Sequence, residues 1–137
     1  MAGLIQLEVV TPNRKVLEVE ADEVILPGEE GSLGVRPGHT PLLTALTIGE
    51  FCYVQGGTKY YAAVRGGFAE VLPDRVSVLT EAAEMSSEID VSRAEDSRVR
   101  AEKILQEVSD TREEKFQKAD ARRQRAMVRI SIARKLG

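Results

Sequence analysis

Four arginines carry the most specific chemistry in this 137-residue sequence. Arg93 and Arg100 stand seven residues apart, and Arg125 and Arg129 stand four apart. In a helix, each pair would occupy one face. Ser109-Asp110-Thr111 reads as a turn that folds the second segment back, bringing Arg125 and Arg129 roughly level with Arg93. Guanidinium groups gathered without matched acids repel one another unless an anion sits among them. A polyphosphate suits that position, because arginine forks bind phosphate oxygens in pairs. The same spacing also fits a solvated basic face or a surface for an acidic protein. The residues alone leave all three readings open.

Other chemistry is sparse. His39 is the single histidine, so no two-histidine metal motif exists. It sits between prolines in Pro37-Gly38-His39-Thr40-Pro41 with no nucleophile or acid motif beside it, which reads as a loop histidine bonded to the backbone or facing a partner. Cys52, the only cysteine, lies in an apolar run and reads as a small buried side chain. Gly66-Gly67 lacks the strand-to-helix setting of a nucleotide loop and reads as a bulge or tight turn. No metal site is expected. A net charge of −3, no Trp and only three Tyr and three Phe give poor support for nucleic-acid binding. No apolar run is long enough for a membrane span. The N-terminus enters strand-like sequence with no basic leader, so export by signal peptide is not expected.

The elements that must position the arginines follow from a division in composition. All five prolines precede residue 74, and ten of the 11 glycines precede residue 68. Residues 1–87 hold 6 Lys/Arg and 12 Asp/Glu, whereas residues 88–137 hold 13 and 10. Turn formers in one part and their absence from the other fit a β-rich unit followed by long helices. The expected fold is therefore α+β: an antiparallel β-sandwich of about ten short strands over 1–87, then an antiparallel two-helix hairpin over 88–137. Gln55-Gly56-Gly57-Thr58 and Pro73-Asp74 mark hairpin turns. Asp90 opens the first helix, and Asp110 with Glu113 resembles a cap for the second.

Each expected helix carries a narrow apolar seam. Val91, Ala94, Ala101, Leu105 and Val108 line the first, with Arg98 at the missing step. Phe116, Ala119, Ala126, Ile130 and Ala133 line the second, with Arg123 in the gap. Alanine permits close approach but buries little apolar area, at about 25 cal/mol per Å². Such a hairpin is either weakly held and able to open, or an ordinary stable pair whose arginines snorkel.

The sequence resembles the epsilon subunits of F-type ATP synthases along nearly its whole length. The resemblance rests on Val9-Val10-Thr11-Pro12, on Gly31 through Leu43 (GSLGVRPGHTPLL), and on Gly66-Gly67-Phe68-Ala69-Glu70-Val71. It also rests on Ile89-Asp90-Val91-Ser92-Arg93-Ala94, which is similar to the nucleotide motif of several bacterial members. The resemblance implies a non-catalytic rotor subunit of the central stalk, with a sandwich that binds the gamma subunit and sits on the c-ring. It implies contacts through Gly28–Gly34, including Glu29 and Ser32, and around His39. The hairpin would switch between a folded state and one extended among the catalytic alpha and beta subunits, where it restrains ATP hydrolysis. From Lys118 to Lys135 the second helix carries seven Lys/Arg, Arg122 and Arg123 among them, against the single acid Asp120. Such a helix should attract an acidic surface of the beta subunit.

By the same resemblance, the ATP-binding positions are Glu84, Asp90, Arg93, Ala94, Arg100, Arg125 and Arg129. All seven match the pattern, although the interhelix region is slightly longer than in ATP-binding members. ATP would be a regulatory ligand, with magnesium as an accompanying ion and no covalent cofactor. The implied location is peripheral, on the cytoplasmic face of a bacterial plasma membrane, without insertion; a thylakoid or other energy-coupling membrane is the alternative. A rotor subunit with a passive hairpin and a free-standing ATP-sensing module are the competing functions.

Overall fold

The computed structural model describes residues 3–135, and Met1, Ala2, Leu136 and Gly137 lie outside the described residues. The chain divides into two compact units, residues 1–85 and 86–137.

The first unit is built of eight strands: β1 (Ile5–Val10), β2 (Lys15–Ala21), β3 (Glu23–Gly28), β4 (Gly31–Val35), β5 (Leu42–Gln55), β6 (Thr58–Leu72), β7 (Arg75–Leu79) and β8 (Ala83–Met85). They pair in the order β2-β1-β7-β6-β5-β3-β4, with β8 added to β6. The expected sandwich stands, with two corrections of detail. Among the described residues there are eight strands rather than about ten, because β5 and β6 run unbroken for 14 and 15 residues. One pairing, β1 with β7, is parallel.

Gly66 and Gly67 explain how β6 stays unbroken. They lie inside it with φ of 68° and 96°, in the region that favours glycine. A Cβ on Gly67 would stand 1.9 Å from the Leu79 carbonyl oxygen, so no side chain fits there. On either side of the pair, β6 serves different neighbours: residues 62–64 pair with β8 and residues 68–72 with β7. The turn at Gly56-Gly57 has positive φ at both residues, as a two-residue hairpin requires, and closes the pair Gln55 and Thr58.

The long strands let both ends of the sheet face one core. Ile5, Leu7 and Val9 of β1, Val76 and Val78 of β7, Val24 and Leu26 of β3, and Phe51 of β5 share one buried cluster. Alternation sets this pattern, since every second residue of a strand meets the core. Thus Val76, Val78 and the following Thr80 are buried, whereas Leu79 is exposed. Cys52 is buried, as its apolar surroundings imply.

The second unit comprises a short 3-10 turn (Ser86–Glu88) and two helices, α1 (Val91–Glu107) and α2 (Glu114–Lys135). Asp90 caps α1, its carboxylate accepting from the Arg93 N–H at 3.1 Å. Asp110 does not cap α2. Its carboxylate accepts from the Arg112 N–H at 2.9 Å and from the Arg112 guanidinium, so it is used within the connecting turn, and α2 starts only at Glu114. Those two bonds, the backbone one foremost, hold the Asp110 carboxyl below its ordinary pKa. Among the described residues, no helix is long and apolar enough to cross a membrane.

Candidate functional site

The hairpin seam is narrower than its sequence pattern. Ala94 and Ala101 are the buried residues of α1, and Ala119, Ala126, Ile130 and Ile132 those of α2. Leu105 and Phe116 are only half-buried, and Val91 is exposed. Ile132 lies outside the expected seam and yet is fully buried. A strict three-four repeat has no signal for it.

One flank of this seam is a charge cluster. Arg98 donates to Glu95 Oε2 from Nη2 at 2.8 Å and from Nε at 3.0 Å, and from Nη1 to Glu102 Oε1 at 2.7 Å. The Glu95 bonds first, then those of Glu102, raise the already high pKa of this guanidinium. Two further arginines reach the same acids from the opposite helix. Arg123 lies 3.6 Å from Glu102, and Arg134 lies 3.4 Å from Glu95. Later residues of α1 thus meet earlier residues of α2, as an antiparallel pair requires. Both seam arginines therefore have acidic partners on α1. The groove along this flank, about 630 Å³, is lined by the same five charged residues with Met127, Ile130, Ser131 and Lys135.

The opposite flank collects the sequence-derived arginines. Arg93 and Arg100 each precede a member of the paired flank by two residues, which is about 200° around the helix. Arg125 stands two residues after Arg123, and Arg129 five before Arg134, so both also face away from the charge cluster. Each of the four comes one residue before a buried seam residue (Ala94, Ala101, Ala126 or Ile130), whereas Glu95 and Glu102 come one residue after Ala94 and Ala101, so helix geometry puts the four on the other side of the seam from the charge cluster. Arg93 and Arg100 are exposed, whereas Arg125 and Arg129 are half-buried. The last two are engaged by neighbours within the protein, so the expectation of four arginines without partners is corrected for them.

The remaining candidate positions are dispersed. Asp90 is at the helix start, and Ala94, fully buried, donates its N–H to the Asp90 carbonyl oxygen at 3.0 Å. Glu84 is a half-buried residue of β8, opposite Ala63, and belongs to the first unit. Arg122 is exposed on α2. In the first unit, Glu29 and Ser32 are exposed on the β3–β4 hairpin. His39 is half-buried in the following loop, its Nδ1 2.6 Å from the Thr40 carbonyl oxygen.

The sandwich carries one surface feature that motif reading passed over. Leu43, Phe68 and Leu79 are 70%, 55% and 55% exposed. Phe68 is paired directly with Leu79 on one side and with Ala45, two residues from Leu43, on the other. Directly paired residues and alternate residues share a sheet face, so the three form one apolar patch. Alternation within Arg75–Leu79 places Leu79 opposite the buried valines, and that was the signal available.

Comparison with known proteins covers nearly the whole chain. The model of the ATP synthase delta/epsilon chain beta-sandwich domain matches residues 4–86, and that of the delta/epsilon long alpha-helix domain matches residues 87–134. The ATP synthase epsilon chain of Syntrophobacter fumaroxidans is 49% identical over 98% of this chain and 99% of that protein. ATP synthase epsilon chain 2 of Syntrophotalea carbinolica is 49% identical over 97% of this chain and 96% of its own length. A chain in the cryo-EM structure of the Euglena gracilis mitochondrial ATP synthase (OSCP/F1/c-ring) shares the fold. Its TM-score is 0.69 at 24% identity, over 97% of this chain and 79% of that one. A chain from the central stalk and c-ring of the Tetrahymena thermophila mitochondrial enzyme also shares it, with TM-score 0.58 at 11% identity, over 96% and 98%. With a sandwich and a helical domain in this order, and relatives at half identity end to end, the chain belongs to the epsilon-chain family of the ATP synthases.

Proposed function

We propose that this protein is a non-catalytic subunit of the ATP synthase central stalk, coupling the rotor to ATP synthesis and regulating ATP hydrolysis through its helical hairpin. The sandwich docks on the gamma subunit through the Leu43, Phe68 and Leu79 patch. Its exposed apolar side chains are what a permanent partner would cover. Glu29, Ser32 and His39 face the c-ring, and the complex is peripheral on the cytoplasmic face of an energy-coupling membrane.

The observation that carries the regulatory part is the hairpin itself. It is a compact unit of its own, joined by a seam whose buried residues are four alanines and Ile130. Little apolar area opposes its opening. When extended, the basic second helix, with Arg122 and Arg123, meets an acidic surface of the catalytic subunits and restrains hydrolysis. When folded, it binds ATP: Arg93, Arg100, Arg125 and Arg129 hold phosphate oxygens, while Asp90 orients the base or the arginines. Close packing at Ala94 lets the helices approach. Binding only the folded form, ATP favours it by mass action, and magnesium accompanies the phosphates.

Calorimetric titration of the purified protein with ATP tests this. A saturable heat that Arg125→Ala abolishes is expected. No heat at millimolar nucleotide would leave a rotor subunit with a passive hairpin. Assembly with a gamma subunit is the companion measurement, and its loss in Phe68→Glu, with the sandwich still folded, is expected.

A further inference from the structure

The charge cluster of the hairpin is unbalanced, with three guanidinium groups sharing two carboxylates. Its short hydrogen bonds, 2.7–3.0 Å, all belong to Arg98 and lie within α1. The contacts that cross to α2 are longer, 3.4 and 3.6 Å. Arg98 and Arg123 approach the same oxygen, Oε1 of Glu102, so they compete for it. The side chains that cross are also the wetter ones: Arg134 is 72% exposed and Arg123 40%, against 30% for Arg98.

We infer that Arg98 is a built-in counterweight to hairpin closure: by holding Glu95 and Glu102 within α1, it weakens the grip of α1 on Arg123 and Arg134. This rests on the reading above that the hairpin opens. When the helices part, Glu95 and Glu102 keep Arg98, and no carboxylate is stranded. The three charges of α1 present −1 to the two arginines of α2. Without Arg98 they would present −2, which is the loss of its direct repulsion of the other two guanidinium groups, and Glu95 and Glu102 would in addition be free to turn toward Arg123 and Arg134. Removing an arginine from an ion-pair cluster should therefore tighten the closed hairpin, whereas simple counting of salt bridges predicts loosening. The pairs are partly exposed, so the change is severalfold and salt-sensitive.

Spin labels on the full chain read the two states. Lys103 and Gln124 are exposed on α1 and α2 and take the labels as cysteines, with Cys52→Ala removing the native thiol. Arg98→Met keeps the unbranched stem and a good helix former. At low ionic strength it should raise the closed-to-open ratio about two- to fivefold, an effect that fades near ~1 M salt. Arg98→Gln should act in the same direction, which guards against a packing artefact of methionine. Glu95→Gln with Glu102→Gln should lower the ratio, and in that background Arg98→Met should raise it clearly less than in the parent, because only the direct repulsion between guanidinium groups is left to remove. An unchanged or lowered ratio in Arg98→Met and Arg98→Gln overturns the inference, as does an equal rise without the acids. If the parent protein shows only the closed distance, with ATP or without, the opening reading itself fails and this inference falls with it. An open population that ignores Arg98 defeats this inference alone.

Discussion

The sandwich and the hairpin are held together by different means. Of the eleven largest fully buried side chains among the described residues, only Ile132 lies in the hairpin; Phe51, Ile5, Leu7, Leu26 and six valines lie in the sandwich. The sandwich seals its strands with branched and aromatic bulk, whereas the helices meet through alanine methyls and a shared charge cluster. Burial scales with apolar area, so the first unit should be the more durable and the second the more easily opened. The proposed rotor role would use both properties. The contrast between them carries the regulatory proposal.

The largest blow to this contrast should come from the platform. Phe51→Ala removes the bulkiest fully buried side chain and should cost about 3–5 kcal/mol in urea unfolding monitored on the β signal. If the loss is slight, the sandwich is not the firm half. Next, Ala126→Leu places a large side chain in a seam that has no room for it. A cost of about 1–3 kcal/mol should appear as faster amide exchange in α1 and α2, with the sandwich untouched. Asp90→Ala deletes the α1 cap and should cost about 1 kcal/mol, seen in the first turn of α1.

The smallest effect concerns the interhelix turn. Because the folded-state pKa of Asp110 is lowered, its contribution is present above the ordinary carboxylate pKa and lost as pH falls through the lowered value. The Arg112 amide resonance should follow that titration in NMR spectra, and Asp110→Asn should abolish the response.

Much of this arrangement is legible in the sequence where local chemistry decides it. The loss of glycine and proline after residue 73 marks the change from sheet to helix, apart from the terminal Gly137. Gly56-Gly57 marks a turn that only positive φ allows, and Asp90 marks a helix start. Matters settled by distant partners are not legible. Nothing near β1 announces that it pairs in parallel with β7, seventy residues on. A glycine pair usually ends a strand, but here β6 continues through it, because β7 and β8 take up its two halves. Arg98 reads as an interruption of an apolar seam although Glu95 and Glu102 stand at the local i−3 and i+4 spacing, whereas only the folded hairpin brings Arg123 and Arg134 to the same acids. The four-arginine flank is legible from periodicity, which does not show that Arg125 and Arg129 are engaged by neighbours.

Amide hydrogen exchange of the full-length protein, followed by mass spectrometry with and without ATP, tests the difference between the halves most directly. The account predicts that the seam peptides around Ala101 and Ala126 exchange through an opening much easier than global unfolding, and that ATP slows them while β5 and β6 stay unchanged. Equal protection of hairpin and sandwich, with no response to nucleotide, would contradict it.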